Sequence, residues 1–528
     1  MTPTKRLRLV LAVLLSAAGG SVWTGCNDIL GIGEPIPASG GSTGGAAGAT
    51  STSGSTAGGT GGTTSTSGSG ATSTGGGGGG GSFPCDPNET PSDGVFVSPN
   101  GDDMTGDGSA TLPVKTIARA LDLANSQSKR AIHLAQGTYP APLTVTTLPA
   151  GPAGEAGAFV IDSGWVATGA AWTHDCSAGA RAKTVLASPS NVGATIALTD
   201  AWLTLRTLTV ATKAAGATTP DADGESCYGI VATGSGTLRL EDVEVHAGKG
   251  GDGGAATLHV DGPTATCNPD GLSTCAQIGV GTSGGMGDTG MAGAPSSGGM
   301  FSADGYHPVA AGDGDPGTPG QNGGPGAAGE QSNSCWAQGC SGAPVPPCNT
   351  GFCGNLGNVF TDTAGTGRCG CGGQGGAAGK SGRGGGASVG LYAYGVLDVQ
   401  VDAGKILASD GGAGTAGAEG LPGATGTLGA VGTPKTCFGS CASVSVGGNQ
   451  CQCQQPGTKD LKGGAKGGDG GTGGMGGKGG GGSGGPSISL VRGAGATITH
   501  TGTPLVFGTA GSGADGASSG MAQEELSL

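Results

Sequence analysis

Glycine recurs at every third residue over several separate stretches of this chain. It stands at 314, 317, 320, 323, 326 and 329, again at 373, 376, 379, 382 and 385, and over the longest run at 411, 414, 417, 420, 423, 426, 429 and 432. Residues 284–293 and 467–485 continue the theme, the latter as Gly-Gly-Asp, Gly-Gly-Thr, Gly-Gly-Met and Gly-Gly-Lys. Neither the 3.6-residue period of an α-helix nor the two-residue period of a strand gives this pattern. A three-residue period is that of the polyproline II helix, which rises about 3.1 Å per residue. Three arrangements carry it. A collagen triple helix needs Gly at each third place on its crowded axis, but these tracts are short, poor in Pro, and tied at both ends into one chain. A bundle of polyglycine II helices uses the bare glycine faces for close backbone approach and inter-helix N–H···O and Cα–H···O contacts. A disordered linker is the third arrangement, favoured by low apolar content.

Composition limits what else is present. Of 528 residues, 123 are Gly and 29 Pro, and 123 + 29 = 152 is about 29% of the chain. Aromatic residues are 3% and charged residues 11%, too few large side chains for several compact α/β domains. Net charge is 23 − 37 = −14, and no basic patch stands out beyond the N-terminus, so no nucleic-acid partner is expected. No P-loop or dinucleotide fingerprint stands in a strand–helix context.

Residues 1–25 read as an export signal. Lys5, Arg6 and Arg8 precede the apolar run Leu9 to Ala18, which is short for a bilayer span, and small residues lead to Cys26. Thr24-Gly25-Cys26 resembles the end of a bacterial lipoprotein signal, with Trp23 where that pattern has Leu. The resemblance implies lipidation of Cys26, and Asn27 after it implies sorting to the outer membrane of a Gram-negative cell. The alternative is an ordinary secretory signal with an incidental Cys, giving a secreted protein. Residues 26–38 form the lipidated terminus. Residues 39–82 are almost only Gly, Ser, Thr and Ala, a flexible tether with an r.m.s. reach of roughly 35–40 Å.

The folded body spans 83–528. Val95 to Ser98 predicts a short strand, and Pro99 to Asp103 a turn. Pro113 opens a helical pattern with Val114, Ile117, Leu121 and Ala124 on one face. Ala131 to Leu134 and Leu143 to Val145 predict further strands. The stretch VFVSPNGDDMTGDGSATLPVKTIARAL followed by IHLAQGTYPAPLTV resembles the N-terminal entry of the right-handed parallel β-helix (pectate-lyase-like) superfamily over about 50 residues. The resemblance implies an all-β fold in which the helix caps the open end of the coil.

Segments 228–250, 389–412 and 488–511 each hold two or three runs of alternating apolar residues broken by Gly, and 201–212 fits as another. Such runs predict successive coils that must stack to bury their inner faces. Gly- and Cys-rich insertions then occupy about 251–388 and 411–485.

Fifteen Cys remain after Cys26, which in an exported protein predicts disulfides and one free or intermolecular thiol. Cys85, Cys176, Cys227, Cys267 and Cys275 are spread along the chain. The disulfide candidates are the two clusters flanking the period-three tracts: Cys335, Cys340, Cys348, Cys353, Cys369 and Cys371, then Cys437, Cys441, Cys451 and Cys453. Zinc is the rival reading of the pairs Cys369/Cys371 and Cys451/Cys453, although C-x-C is not the usual knuckle spacing. The turn acids Asp102, Asp103 and Asp107 offer oxygen ligands to Ca²⁺, the one cofactor considered, without EF-hand spacing. The other reading of that segment is a solvated turn.

Two functions follow as expectations. The first is a cell-surface lipoprotein held to the membrane by its lipid, acting as a non-enzymatic scaffold, adhesin or binder of glycans or matrix. The second, implied by the β-helix resemblance, is a lyase or glycoside hydrolase acting on acidic polysaccharide. The coils offer Arg206, Arg239, Glu241, Asp242, Glu244, Asp398 and Asp402 for such work, but no catalytic motif transfers residue by residue.

Overall fold

The computed structural model describes residues 86–528, apart from 152–153, 155–156, 217–218, 269–270, 336–359, 439–443, 447–448 and 452–457. The signal, Cys26 and the tether lie outside the described residues. The protein is all-β with a large parallel sheet of 14 strands. In chain order these are β1 Val95–Val97, β2 Ala131–Ala135, β3 Gly137–Tyr139, β4 Leu143–Val145, β5 Phe159–Thr168, β6 Ala171–His174 and β7 Thr184–Ser188. Then come β8 Val192–Thr212, β9 Cys227–Ala247, β10 Ser388–Ala408, β11 Ser487–Arg492, β12 Thr497–Thr501, β13 Leu505–Val506 and β14 Ala522–Ser527. The main path runs β1-β2-β5-β8-β9-β10-β11-β14.

The helical pattern opens later than Pro113 suggests. Helix α1 spans Ile117–Gln127, with the Thr116 side chain accepting from the Arg119 N–H as its N-cap. Val114 bridges Val97 in parallel instead. Asp103 fixes that change of direction, because its carboxylate accepts from the N–H groups of both Lys115 and Thr116. Ile117, Ala120, Leu121 and Ala124 bury the helix face in the common core, against β1, β2 and β4 at the first end of the ladder.

Strands β8, β9 and β10 are each 21 residues long and pair in parallel along their length. A straight strand of that length is unusual. Each is bent at residues in the left-handed region. One corner stacks Thr207 (φ 53°), Asp242 (φ 52°) and Ala403 (φ 61°), with Gly502 (φ 61°) after β12. The other holds Asp200 in β8, Gly234 and Gly236 in β9, and Gly395 in β10. Between corners, register places like positions over one another. One row is Leu143, Ala194, Ile230, Leu391 and Leu490, another is Ile132, Ile161, Leu205, Leu240 and Val401, and all ten are buried in one apolar cluster.

The period-three tracts form a hydrogen-bonded bundle around tract 464–485. Its first glycines, from 470 to 485, donate backward along tract 411–432, as in Gly473 to Ala424 O (2.9 Å) and Gly476 to Leu421 O (2.9 Å). Its second glycines donate to tract 312–329, as in Gly474 to Thr318 O (2.9 Å). Carbonyls on the third line accept from tract 284–296, as Met475 O does from Gly290 (2.8 Å). Tract 365–386 donates to the second-glycine carbonyls, as in Gly376 to Gly474 O (2.7 Å). These bonds join distant tracts of one chain to one another. Side chains are excluded at the central glycines: one on Gly474 would collide with the Asp288 carbonyl, and one on Gly473 with that of Gln374.

The third line of tract 464–485 changes character along its length. It carries Asp469, Thr472, Met475 and Lys478, then Gly481 and Gly484. The change coincides with a further tract, 509–514, whose Gly511 and Ala514 donate to Gly485 O (2.9 Å) and Gly482 O (3.1 Å). Where that backbone lies, only Gly fits; beyond it, side chains return.

Candidate functional site

Charged residues gather on one outward row of the ladder, the position just before the Thr207–Asp242–Ala403 corner. Register stacks His133, Asp162, Arg206, Glu241 and Asp402 there in turn. Neighbouring strands lie about 4.8 Å apart, so like charges on such a row repel and opposite charges attract. From Asp162 through Arg206 to Glu241 the row alternates accordingly. Arg206 Nε lies 2.8 Å from Glu241 Oε2, and its Nη1 3.8 Å from Asp162 Oδ1. Glu241 and Asp402 are adjacent acids, and Arg239 bridges them from two residues away, at 3.1 Å from Glu241 Oε1 and 2.9 Å from Asp402 Oδ2. Asp162 and Glu241 are buried. Burial draws the Arg206 pKa down, but the charges of Asp162 and Glu241 outweigh it and the net shift is upward.

The remaining coil acids are also engaged. Arg181 Nη1 lies 2.6 Å from Asp242 and its Nε 3.4 Å from Glu244, which also meets His246 at 2.8 Å. The His246 contact, against the opposing effect of burial, holds the Glu244 carboxyl below its ordinary value. Asp398 accepts from Thr497 Oγ1 and from Gln400 Nε2, both at 2.8 Å.

A second constellation lies at the start of the same row. Ser92 Oγ is 3.3 Å from His133 Nε2, and His133 Nδ1 is 3.6 Å from Asp162 Oδ2. The residue types are those of a serine hydrolase triad, but the hydrogen bonding is not. His133 Nε2 also lies 3.0 Å from the Ser92 carbonyl oxygen, and the 3.6 Å from His133 Nδ1 to Asp162 is longer than a hydrogen bond. Asp162 Oδ2 accepts from Trp165 Nε1 at 2.9 Å. The group is a packed junction of Phe96, His133, Trp165 and His174 rings rather than an activated nucleophile.

The three turn acids do not converge on a cation. Asp102 accepts from Met104 N, Asp103 from Lys115 N and Thr116, and Asp107 from Ser109 N. Each carboxylate shapes its own turn, and each is held below the ordinary value; for Asp102 the largest cause is the Met104 N–H. Among the described residues no three His, Cys, Asp or Glu side chains gather as a metal ion requires.

Two disulfides cross between tracts, Cys267–Cys371 and Cys275–Cys369. Cys369 and Cys371 therefore pair with upstream cysteines outside the two candidate clusters, and as disulfides they are not zinc thiolates. The C-x-C spacing reflects two bonds side by side. Cys176 is disulfide-bonded as well. Among the described residues Cys227 is a free thiol, buried, with burial pushing its pKa up to about 11. Cys335, Cys340, Cys348, Cys353, Cys437, Cys441, Cys451 and Cys453 fall outside the residues whose side chains are described, as does Cys26. The ion-pair row is hidden in the sequence because its partners, such as Arg239 and Asp402 at 163 residues apart, meet only through register. The detectable signal was a charged residue repeatedly placed one position before a corner.

No family model, curated protein or solved structure matches this chain.

Proposed function

We propose that this protein is a cell-surface lipoprotein that acts as a non-enzymatic scaffold, adhesin or glycan- and matrix-binding protein. Cys26 carries the lipid, the 39–82 segment is the tether, and the body is a right-handed parallel β-helix bearing a polyglycine II bundle. Support for a closed coil comes from the stacked corners and from buried rows shared by successive layers. The observation that carries the non-enzymatic reading is the ion-pair row. Acid–base cleavage of a polysaccharide requires carboxylates held for proton transfer or nucleophilic attack. Here Glu241 has each oxygen on a different arginine, and Asp402 faces Arg239. Such pairing ties neighbouring layers to one another and occupies these carboxylates with arginine partners.

The activity test is incubation of the folded protein with acidic polysaccharides. No depolymerisation is expected. Turnover that disappears in Glu241→Gln or Asp402→Asn would replace this reading with a β-helix lyase or hydrolase. The anchor is tested separately by incorporation of labelled fatty acid, expected in the native chain and lost in Cys26→Ala. Surface display is tested by protease shaving of intact cells.

A further inference from the structure

The two buried rows of the ladder change in kind at their last member. The row Leu143, Ala194, Ile230, Leu391, Leu490 ends on Glu525 of β14, in register with Leu490. The row Ile132, Ile161, Leu205, Leu240, Val401 ends on His500 of β12, in register with Val401. These two residues meet: His500 Nε2 lies 2.6 Å from Glu525 Oε1. Side chains from two different strands thus join over the end of the apolar column, in places where every earlier layer has a buried aliphatic residue.

The same end holds an open edge. Among the described residues β14 covers β11, whereas β12 and β13 pair only with β10. Thr497, Ile498, Thr499, His500 and Thr501 contain no Lys, Pro or bulge to discourage strand addition. At the opposite end the amphipathic face of α1 covers the core. The layer geometry is already complementary to one more parallel layer, and the material with that geometry is another layer of the same kind.

We infer that the His500–Glu525 pair is a polar lid that withholds this end from a second copy of the chain. Terminal units of stacked folds need a polar outer face to stay soluble. The pair supplies it at the inward positions, where an apolar residue would extend the column and invite a further layer onto β12. A copy adding there would have to break the pair and bury both polar groups without it.

The experiment compares full-length native protein with the double variant His500→Val, Glu525→Leu by sedimentation velocity across a hundredfold concentration range, with circular dichroism to check the fold. The native protein is expected to remain monomeric and the double variant to self-associate with concentration. Adding Thr499→Lys and Thr501→Lys to the double variant is expected to restore the monomer, which separates edge addition from misfolding. The swapped pair His500→Glu, Glu525→His is expected to stay monomeric. A folded double variant as monomeric as the native chain overturns the inference. So does association that the edge lysines leave unchanged, or end-to-end association of the native chain. None of these outcomes bears on lipidation or surface display, which are tested separately.

Discussion

The carbonyl oxygen of Ala514 occupies the place that a side chain on Gly481 would need. Three residues earlier on the same line, Lys478 keeps its side chain and reaches Asp515 at 3.1 Å and Glu419 at 2.8 Å. Identity along this line is thus set by whether another backbone lies alongside. Gly481→Ala and Gly474→Ala are expected to destabilise the protein by about 1–3 kcal/mol each, because a methyl group in a filled site forces backbone apart. Met475→Ala, on the exposed part of the line, is expected to stay within about 0.5 kcal/mol. Urea denaturation of the three variants checks the contrast; equal effects would contradict it.

Removing the central cation of the ladder should be costly. Arg206→Ala leaves the buried carboxylate of Asp162 without its arginine and that of Glu241 with Arg239 alone. A loss of about 2–4 kcal/mol is expected, below the full value for a buried pair because Arg206 is partly exposed. Arg492→Ala, whose guanidinium meets Ser527 at an exposed site, serves as the comparison and should change little. Thermal unfolding of both variants is the measurement.

Acid should weaken the fold through its aspartates. Asp175 is held far below the ordinary carboxylate range, first by the Lys183 ammonium and then by the Ser177 N–H; Asp410 is lowered chiefly by the Thr509 N–H. A carboxyl whose folded pKa is depressed contributes stability that is present above its unfolded value, near 3.9, and is lost as pH falls through the folded value. Stability should therefore be flat with respect to these groups above about pH 5 and decline below about pH 4. Asp175→Asn should make that decline shallower, as read from denaturation midpoints against pH. A slope unchanged by the substitution would remove Asp175 from the explanation.

Reduction should act on the bundle before the ladder. Cys267–Cys371 and Cys275–Cys369 close sequence separations of 104 and 94 residues, for which about 2–4 kcal/mol each is typical. Limited proteolysis with and without reductant is expected to show new cleavage within 267–453 while 95–145 stays resistant. Equal susceptibility of the two regions would count against this.

Much of the ladder was legible from alternation alone. Segments 201–212, 228–250, 389–412 and 488–511 fall on β8, on β9, on β10, and on β11 to β13. The strand of β4 was read to the residue. Corners were harder: Thr207 and Ala403 adopt left-handed φ without being Gly or Asn, so their turn chemistry is invisible in a single sequence. Phe159–Thr168 escaped because the residues before it are Gly- and Ala-rich. In the bundle, periodicity revealed spacing but not neighbours. The few prolines were a usable clue. Pro316, Pro319 and Pro325 share one line of tract 312–329, the line on which no inter-tract N–H bond is made. The site was least legible, because ion pairs between layers depend on register that no local pattern encodes.

The side-chain line of tract 464–485 has an evolutionary consequence. Main-chain bonds and bare glycines hold the tracts together, so the third place of a triplet is released from architectural duty wherever no further backbone lies alongside, as from Asp469 to Lys478 but not at Gly481 and Gly484. Lineages can rewrite those places, with proline, methionine or lysine alike, and keep the framework intact. A surface of this sort can change its chemical message faster than its shape.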